Sequence, residues 1–254
     1  MNLKSLLFAA FAFFCSILLS PASAQDLSVA AAADLTYCLP EINVAFQKAY
    51  PDAHLTVAYG SSGNFFSQIQ NGAPFDVFLS ADLQYPRTLH DQGLTTAPVP
   101  YAQGRLVLWT ANLSLDLSQG LAILKDPAIK RIALANPDHA PYGRAAKAAL
   151  QQAHLWDVIQ PRLVFGESIA QTAQFVQTGN ADAGLVAFSL VIAQPPSRAG
   201  HTYEIPADQY PAIEQSAVIT KHGGANSLAG YYLDFLKSPE ARKILEQFGF
   251  RLPK

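Results

Sequence analysis

The sequence predicts an α/β protein in which mainly parallel sheets are covered by helices on both faces. Three observations predict this class: half of the 254 residues are apolar, short apolar runs alternate with amphipathic helical stretches, and turn-forming residues separate the two kinds of segment. Alternating strand and helix units form parallel sheets. A chain of this length suits one large domain or two lobes of roughly 100 residues each.

The first 24 residues have the three parts of a secretory signal. Lys4 supplies the positive charge, the stretch 6–19 is apolar apart from Ser16, and Ala22-Ser23-Ala24 has the pattern of a cleavage site. An uncleaved membrane anchor is the alternative, but the apolar run is shorter than the roughly 20 residues that span a bilayer. We therefore predict a signal peptide over 1–24 and a periplasmic mature protein. Cys38 is then the one remaining cysteine, so the mature chain forms no internal disulfide.

The elements of the first part of the mature chain follow from apolar spacing. The apolar run 27–32 predicts a buried strand, and apolar residues at helical spacing predict a helix over 37–50. Pro40 is tolerated only in the first turn of that helix, which is therefore expected to begin at Thr36. The next predicted elements are a strand over 54–59, a helix over 64–71, a strand over 76–80 and a helix that ends near Gly93.

The second part of the chain continues the alternation and then changes. Strands are predicted over 105–109, 131–135, 162–165 and 183–188, with helices over 142–153 and 169–178 and a surface loop over 193–200. The last predicted elements are a strand over 215–220, a helix over 226–236 and a helix that begins after Ser238-Pro239 and ends at Gly249.

Four junctions after predicted strands could bind an anion. They are the segments 33–36, 60–64, 140–143 and 166–169. Ligands of open α/β sheets lie at the carboxyl ends of strands, where the next helix presents free backbone N–H groups at the positive end of its dipole. Ordinary helix capping would explain any one of these junctions taken singly.

Five sequence blocks in this order resemble the molybdate-binding proteins of bacterial molybdate ABC importers. The blocks are AAADL at 31–35, GSSG at 60–63, GAPFDVFLSAD at 72–82, ANPDHAPYG at 135–143 and GESIAQT at 166–172. The resemblance covers nearly the whole mature chain. It implies a two-lobed type II periplasmic binding protein fold with the ligand in the cleft. Lobe I is then expected over 25–104 and 211–254 and lobe II over 105–210, with hinge strands near 101–105 and 207–211.

The resemblance also implies a ligand and the residues that hold it. The ligand is molybdate or tungstate, bound as an oxyanion with no bond between protein and metal and with no cofactor. The family's contacts fall on four positions of this chain: Asp34, Ser62, Tyr142 and Ile169. The metal of the oxyanion is thus held through Ser62, Tyr142 and Ile169, the last by its backbone N–H alone. Secondary candidates are Ser61, Leu35 and Ala187.

Two positions depart from the family pattern. Some members have a hydroxyl residue where this chain has Asp34, and a carboxylate about 4 Å from a dianion feels roughly 4 kcal/mol of repulsion per unit charge at an effective dielectric of about 20. We therefore expect Asp34 to turn its side chain away, to cap the following helix and to offer only its backbone N–H. A protonated Asp34 that donates to the anion is the alternative.

Some members have a tyrosine where this chain has Ala187, and Tyr142 is expected to supply that hydroxyl.

The expected partners are those of an importer. The resemblance implies a membrane permease and its ATPase as partners, and a monomeric binding protein. Only 14% of the residues are charged and the net charge is −2. That composition argues against a disordered chain and against nucleic-acid binding.

Two other classes remain as alternatives. A binding protein for sulfate, ferric ion or an organic acid would share the fold, and ferric ion would need tyrosines such as Tyr101, Tyr142 and Tyr210.

An enzyme would need Ser61 or Ser62 as a nucleophile, but no GxSxG elbow is present. The six histidines show no catalytic or metal spacing and are interpreted as surface residues or as residues with satisfied hydrogen bonds. His139 is the exception, because it lies three residues before Tyr142. The acidic residues Asp76, Asp82 and Glu167 are interpreted as solvated loop or capping residues.

Overall fold

The computed structural model describes residues 25–253, so the predicted signal peptide lies outside the described residues. The strands are β1 (Gln25–Ala32), β2 (Ala53–Gly60), β3 (Val77–Ser80), β4 (Val99–Gly104), β5 (Leu106–Thr110), β6 (Ile132–Ala135), β7 (Leu163–Gly166), β8 (Ala183–Ala187), β9 (His201–Glu204) and β10 (Ile213–Ile219). The helices are α1 (Leu39–Ala49), α2 (Ser62–Gln70), α3 (Gln84–Asp91), α4 (Pro141–Gln152), α5 (Trp156–Ile159), α6 (Ile169–Gln177), α7 (Phe188–Ile192), α8 (Ser227–Leu236) and α9 (Pro239–Gln247).

The strands form two five-stranded sheets of the same design. The first has the order β2-β1-β3-β10-β4 and the second the order β7-β6-β8-β5-β9. In each sheet one strand, β10 or β5, runs antiparallel to both of its neighbours, and the other pairs are parallel. Each sheet with its helices is called a lobe below: the first lobe contains β1–β4, β10, α1–α3, α8 and α9, and the second contains β5–β9 and α4–α7.

Helices cover both faces of the first sheet because its central strands are apolar on both faces. Leu27, Val29 and Ala31 of β1 point into one core with α1, α8 and α9. Ala30 of the same strand points the other way, into a smaller core with α2 and α3. The second lobe has one continuous core that includes the buried Trp109. The two-lobed α/β prediction is therefore confirmed.

The structure corrects several element boundaries. The first helix begins at Leu39 and not at Thr36, because residues Ala33–Leu35 form a separate 3-10 turn, although Pro40 does lie in the first turn of α1. The hinge strand expected near 101–105 overlaps β4, whereas the one expected near 207–211 is a 3-10 turn over Ala207–Gln209. The strand β9 was not predicted, because it is a short edge strand with mostly exposed side chains. The predicted strand over 183–188 ends at Ala187, where α7 begins.

The chain passes between the lobes twice. It leaves the first sheet at Gly104, enters the second at Leu106, and returns between Glu204 and Ile213. The end of β4 and the start of β10 meet beside Tyr142, because Gly104 lies against both the Tyr142 hydroxyl and the Ile213 side chain. Within residues 25–253, no helix combines the length and the apolar character needed to cross a membrane.

Candidate functional site

A small pocket lies between the two lobes. The junctions after β1, β2, β3 and β6 and the start of α6 supply its walls. Its polar or helix-starting residues are Asp34, Ser61, Ser62, Tyr142 and Ile169, and its other lining residues are alanines, Gly60 and Pro141. The structure thus brings together five residues that the sequence analysis singled out, from four separate segments of the chain.

Three helices begin at this pocket, and their first turns differ in how they are capped. The Ser61 Oγ accepts a hydrogen bond from Asn64 N at 3.2 Å at the start of α2, and the Ser168 Oγ accepts one from Gln171 N at 3.2 Å at the start of α6. At α4 the capping position is Ala140, which has no side-chain oxygen to offer. The first-turn amides of α4 therefore remain to be satisfied by water or an anion.

The two neighbouring serines have different roles in the structure. The Ser62 Oγ is fully buried and accepts a hydrogen bond from Ala81 N at 2.9 Å. Because a hydroxyl carries one proton as well as its acceptor lone pairs, that contact leaves the Ser62 proton to be donated into the pocket. The Ser61 Oγ instead caps α2 and lies 3.0 Å from His139 Nδ1 of the other lobe.

The side chain of Asp34 does not behave as expected. Among residues 25–253, neither the 3-10 turn Ala33–Leu35 nor the following helix α1 has a hydrogen bond from a side-chain cap, so Asp34 caps neither of them. Instead, the Asp34 Oδ2 accepts hydrogen bonds from the Tyr142 hydroxyl, at 3.0 Å, and from Gln215 Nε2. The Asp34 Oδ1 is buried and has no hydrogen-bond partner within the described part of the chain. The expectation of a capping role was therefore wrong.

Burial dominates the electrostatics of this carboxyl group. Burial raises the pKa of Asp34 from 3.8 to about 6, and the hydrogen bonds from Gln215 and Tyr142 only partly offset that rise. Burial, together with the nearby Asp34 charge, also raises the pKa of the Tyr142 and Tyr101 hydroxyls well above their ordinary value. Both tyrosines are consequently neutral hydrogen-bond donors at any physiological pH.

The pocket holds no permanent positive charge. Of the residues that the structure describes, no lysine, arginine or histidine lines it. Arg144, two residues beyond Tyr142, forms an ion pair with Asp82 and donates a hydrogen bond to the Tyr85 hydroxyl at 3.0 Å. A pocket built from hydroxyls and helix-start amides suits a small anion whose charge is neutralised by hydrogen bonds alone.

Direct contacts hold the two lobes together around the pocket. Gly63 N of the first lobe donates to His139 O of the second at 2.9 Å, and the Ser189 Oγ donates to Asp34 O at 2.8 Å. The Arg144–Asp82 ion pair crosses the same cleft. The structure therefore shows the cleft closed.

His139 and two of the three acidic residues weighed in the sequence analysis have structural roles. His139 lies between Ser61 and Glu167, with its Nε2 3.4 Å from the Glu167 carboxylate. Its ring is oriented opposite to that of serine hydrolases, in which Nε2 faces the serine. The capping role of Asp82 is confirmed, because its Oδ1 accepts a hydrogen bond from Tyr85 N at 3.1 Å in the first turn of α3, while its Oδ2 pairs with Arg144. Asp76 is buried and not solvated, and it accepts a hydrogen bond from Ser28 N at 2.7 Å.

Two of the secondary candidates lie outside the pocket lining. Leu35 is fully buried in the core beneath α1, and Ala187 is fully buried in the core of the second lobe at the start of α7. Neither side chain reaches the pocket, because each points into the hydrophobic core behind its own loop.

Sequence reasoning missed Gln215, which is the closest partner of Asp34. Gln215 is fully buried on β10, and its Oε1 accepts a hydrogen bond from the Tyr101 hydroxyl at 2.7 Å. Gln215 is a polar amide in a mostly buried strand, and buried amides need specific partners. The sequence could not show that the partner lies 181 residues away.

A two-lobed α/β protein with a small polar pocket in its closed cleft has the architecture of a solute-binding protein. The sequence profile of the bacterial extracellular solute-binding proteins matches residues 27–251, and this chain belongs to that family.

The chain is similar to characterised relatives along nearly its whole length. It is 39% identical to the molybdate-binding protein ModA of Rhodobacter capsulatus, over 91% of this chain and 90% of that protein. It is 41% identical to the molybdate-binding protein ModA of Azotobacter vinelandii, over 93% of this chain and 94% of that protein. The solved structure of an Azotobacter vinelandii periplasmic molybdate-binding protein superimposes with a TM-score of 0.85 at 35% identity, covering 90% of this chain and all of that one. The family resemblance inferred from the five blocks is therefore confirmed.

Proposed function

We propose that this protein captures molybdate in its interlobe cleft as the solute-binding component of an ABC importer. The observation that carries the proposal is the convergence of three helix starts and the Ser62 hydroxyl on one small pocket without basic side chains. The similarity to molybdate-binding relatives at about 40% identity supports the choice of ligand.

The contacts that we propose replace the water shell of the dianion with neutral donors. Ser62 donates its hydroxyl proton, Ile169 and Tyr142 donate backbone N–H groups, and the backbone N–H of Asp34 approaches from the 3-10 turn after β1. Each of these bonds is charge-assisted and hence stronger than a bond between neutral groups. Helix dipoles at α2, α4 and α6 add to the field at the anion.

Selectivity follows from the size of the pocket. The metal–oxygen bonds of molybdate and tungstate are longer than the sulfur–oxygen bonds of sulfate. A rigid set of donors spaced for the larger tetrahedron leaves sulfate with longer hydrogen bonds. We therefore propose that tungstate is accepted with molybdate and that sulfate is disfavoured.

Closure of the cleft links binding to delivery. The contacts across the cleft, such as Gly63 N to His139 O, form only when the lobes meet. Ligand that bridges both lobes stabilises this closed form. We propose that the protein acts in the periplasm as a monomer after removal of residues 1–24, that it has no enzymatic activity, and that its closed form docks on a membrane permease that works with an ATPase.

Calorimetric titration of the mature protein with four oxyanions tests the proposal. Molybdate and tungstate are expected to bind at micromolar concentration or below, and sulfate and phosphate at least about a hundredfold more weakly. Ser62→Ala should weaken molybdate binding about tenfold, because one charge-assisted hydrogen bond is lost. Ser67→Ala, on the exposed face of the same helix, is the matched control and should bind like the unaltered protein. Equal binding of sulfate and molybdate would contradict the proposal.

A further inference from the structure

The carboxyl group of Asp34 has one oxygen that the protein leaves unsatisfied. Asp34 lines the pocket and is 1% exposed. Its Oδ2 accepts both available hydrogen bonds, from Tyr142 and Gln215, while its Oδ1 has no partner among residues 25–253. Buried carboxylate oxygens are normally paired. The Oδ1 atom can therefore take a proton or a further partner, and it belongs to a residue that lines the pocket of the proposed ligand.

Among residues 25–253, no charged group shifts the pKa of Asp34. Three titratable side chains, Cys38, Tyr101 and Tyr142, have pKa values that burial, and next the Asp34 charge, raise well above their ordinary values. These groups stay neutral over the pH range in which proteins are handled. Tyr210 lies behind Tyr142 and accepts a hydrogen bond from Leu106 N at 3.2 Å. Asp34 is thus the one titrating group of this buried network in the described structure.

A dianion and an ionised carboxylate cannot share this pocket without a proton between them. We propose that molybdate binding is coupled to the uptake of one proton, which the Asp34 Oδ1 holds and donates as a hydrogen bond to an oxygen of the anion. This inference rests on the proposed function. It gives Asp34 a contact with the ligand through its side chain, in addition to the backbone N–H contact proposed above.

The protonated form needs no rearrangement of the network. A proton on Oδ1 leaves Oδ2 free to accept the hydrogen bonds from Tyr142 and Gln215 that it already accepts. The proton comes from solvent, so one anion and one proton enter together. In the closed cleft the pKa of Asp34 is raised to about 6 by burial, so the cost of holding this proton at pH 7 lowers the affinity only about tenfold.

The coupling gives a defined pH dependence. Above pH 6 the free protein loses the proton that the complex retains, so the dissociation constant of molybdate should rise about tenfold for each pH unit. Molybdate itself remains a dianion between pH 6 and pH 8. The change of the dissociation constant with pH therefore reflects the titration of the protein and not of molybdate.

Calorimetry in two buffers of different ionisation enthalpy measures the proton directly. In HEPES and in Tris at pH 7.5, the unaltered protein should take up about one proton for each molybdate bound. Its dissociation constant should be about tenfold higher at pH 8 than at pH 7. Asp34→Asn, which keeps the shape and is always neutral, should bind molybdate with no proton uptake and with the same affinity at both pH values.

Two control variants identify the group that takes up the proton. Asp76→Asn changes a buried aspartate of the same lobe that lies outside the pocket, and it should retain the uptake. His139→Gln removes the histidine that contacts Ser61, and it should also retain the uptake. Binding of molybdate by the unaltered protein without proton uptake would overturn this inference and leave the proposed function intact. Uptake that persists in Asp34→Asn would overturn it as well, whereas failure of the unaltered protein to bind molybdate would overturn both.

Discussion

The Tyr142 hydroxyl in the second lobe donates a hydrogen bond to the Asp34 carboxylate in the first lobe, at 3.0 Å. The hydroxyl reaches this position because residue 104, at the end of β4, is a glycine: a Cβ at Gly104 would overlap the Tyr142 hydroxyl. One buried contact thus joins the loop after β1, the start of α4 and the crossing between the lobes. Because it exists only when the cleft is closed, it links the site to the movement of the lobes.

Removal of this hydroxyl should weaken binding without unfolding the protein. Tyr142→Phe leaves the Asp34 Oδ2 with Gln215 as its one remaining donor and deletes a bond specific to the closed form. The loss of a partner for a buried polar group costs about 1–3 kcal/mol. We expect molybdate affinity to fall at least about fivefold by calorimetry. Tyr231→Phe, on an exposed part of α8, should have no effect, and a Tyr142→Phe protein that binds normally would show that the contact does not contribute.

The ion pair between Arg144 and Asp82 should stabilise the closed cleft. Arg144 is one-third exposed, Asp82 is mostly buried, and the guanidinium also lies 5.0 Å from the Tyr85 ring centre. A partly buried pair of this kind contributes about 1 kcal/mol, so Arg144→Gln should weaken molybdate binding about fivefold. The difference should shrink in 0.5 M salt, because screening weakens the pair in the unaltered protein. Arg87→Gln, an exposed arginine on α3, is the control and should bind normally.

Closure of the cleft should require a glycine at position 63. A Cβ there would lie 2.5 Å from His139 O and 2.6 Å from the Tyr85 hydroxyl, and the first of these is a backbone atom that cannot move aside easily. Gly63→Ala should therefore fold normally but fail to close. Small-angle X-ray scattering should show no compaction on addition of molybdate, and the affinity should fall about a hundredfold. Gly224→Ala has open space around its Cβ and should compact like the unaltered protein.

Asp34 should destabilise the protein at neutral pH. Its pKa is raised from 3.8 to about 6 on folding, so the folded chain binds more protons than the unfolded chain between those values. Stability should therefore fall as the pH rises from about 4 to about 6, by roughly 3 kcal/mol in total, and stay low above that range. Without molybdate, Asp34→Asn should raise the free energy of unfolding by about 2–3 kcal/mol at pH 7.5 and have little effect at pH 4. An equal effect at both pH values would show that the carboxyl charge is not the cause.

The parts of the site that sequence could predict are those encoded locally. Helix capping at the junctions 60–64 and 166–169 could be anticipated because a capping residue and its partner lie within four positions in the chain, and the structure shows caps at Ser61 and Ser168. The Gln215–Asp34 and Arg144–Asp82 pairs join residues 181 and 62 positions apart, and no local pattern encodes such pairing. The side-chain direction of Asp34 was mispredicted for the same reason.

The fold was predicted at the level of its layers and less well at its edges. Central strands such as β1 and β6 are apolar on both faces, which is a strong signal for a buried parallel strand. The edge strand β9 reads His-Thr-Tyr-Glu and is mostly exposed, so its strand conformation comes from pairing with β5 and not from its own composition.

The most direct test of the central claim is a crystal structure of the mature protein with molybdate, using the anomalous scattering of molybdenum to locate the ion. We predict a single strong anomalous peak in the interlobe pocket. Oxygens of the anion should lie within hydrogen-bonding distance of the Ser62 Oγ, the backbone N of Tyr142 and Ile169, and the Asp34 side chain. A peak elsewhere on the surface, or amides of these helix starts that point away from the ion, would contradict it.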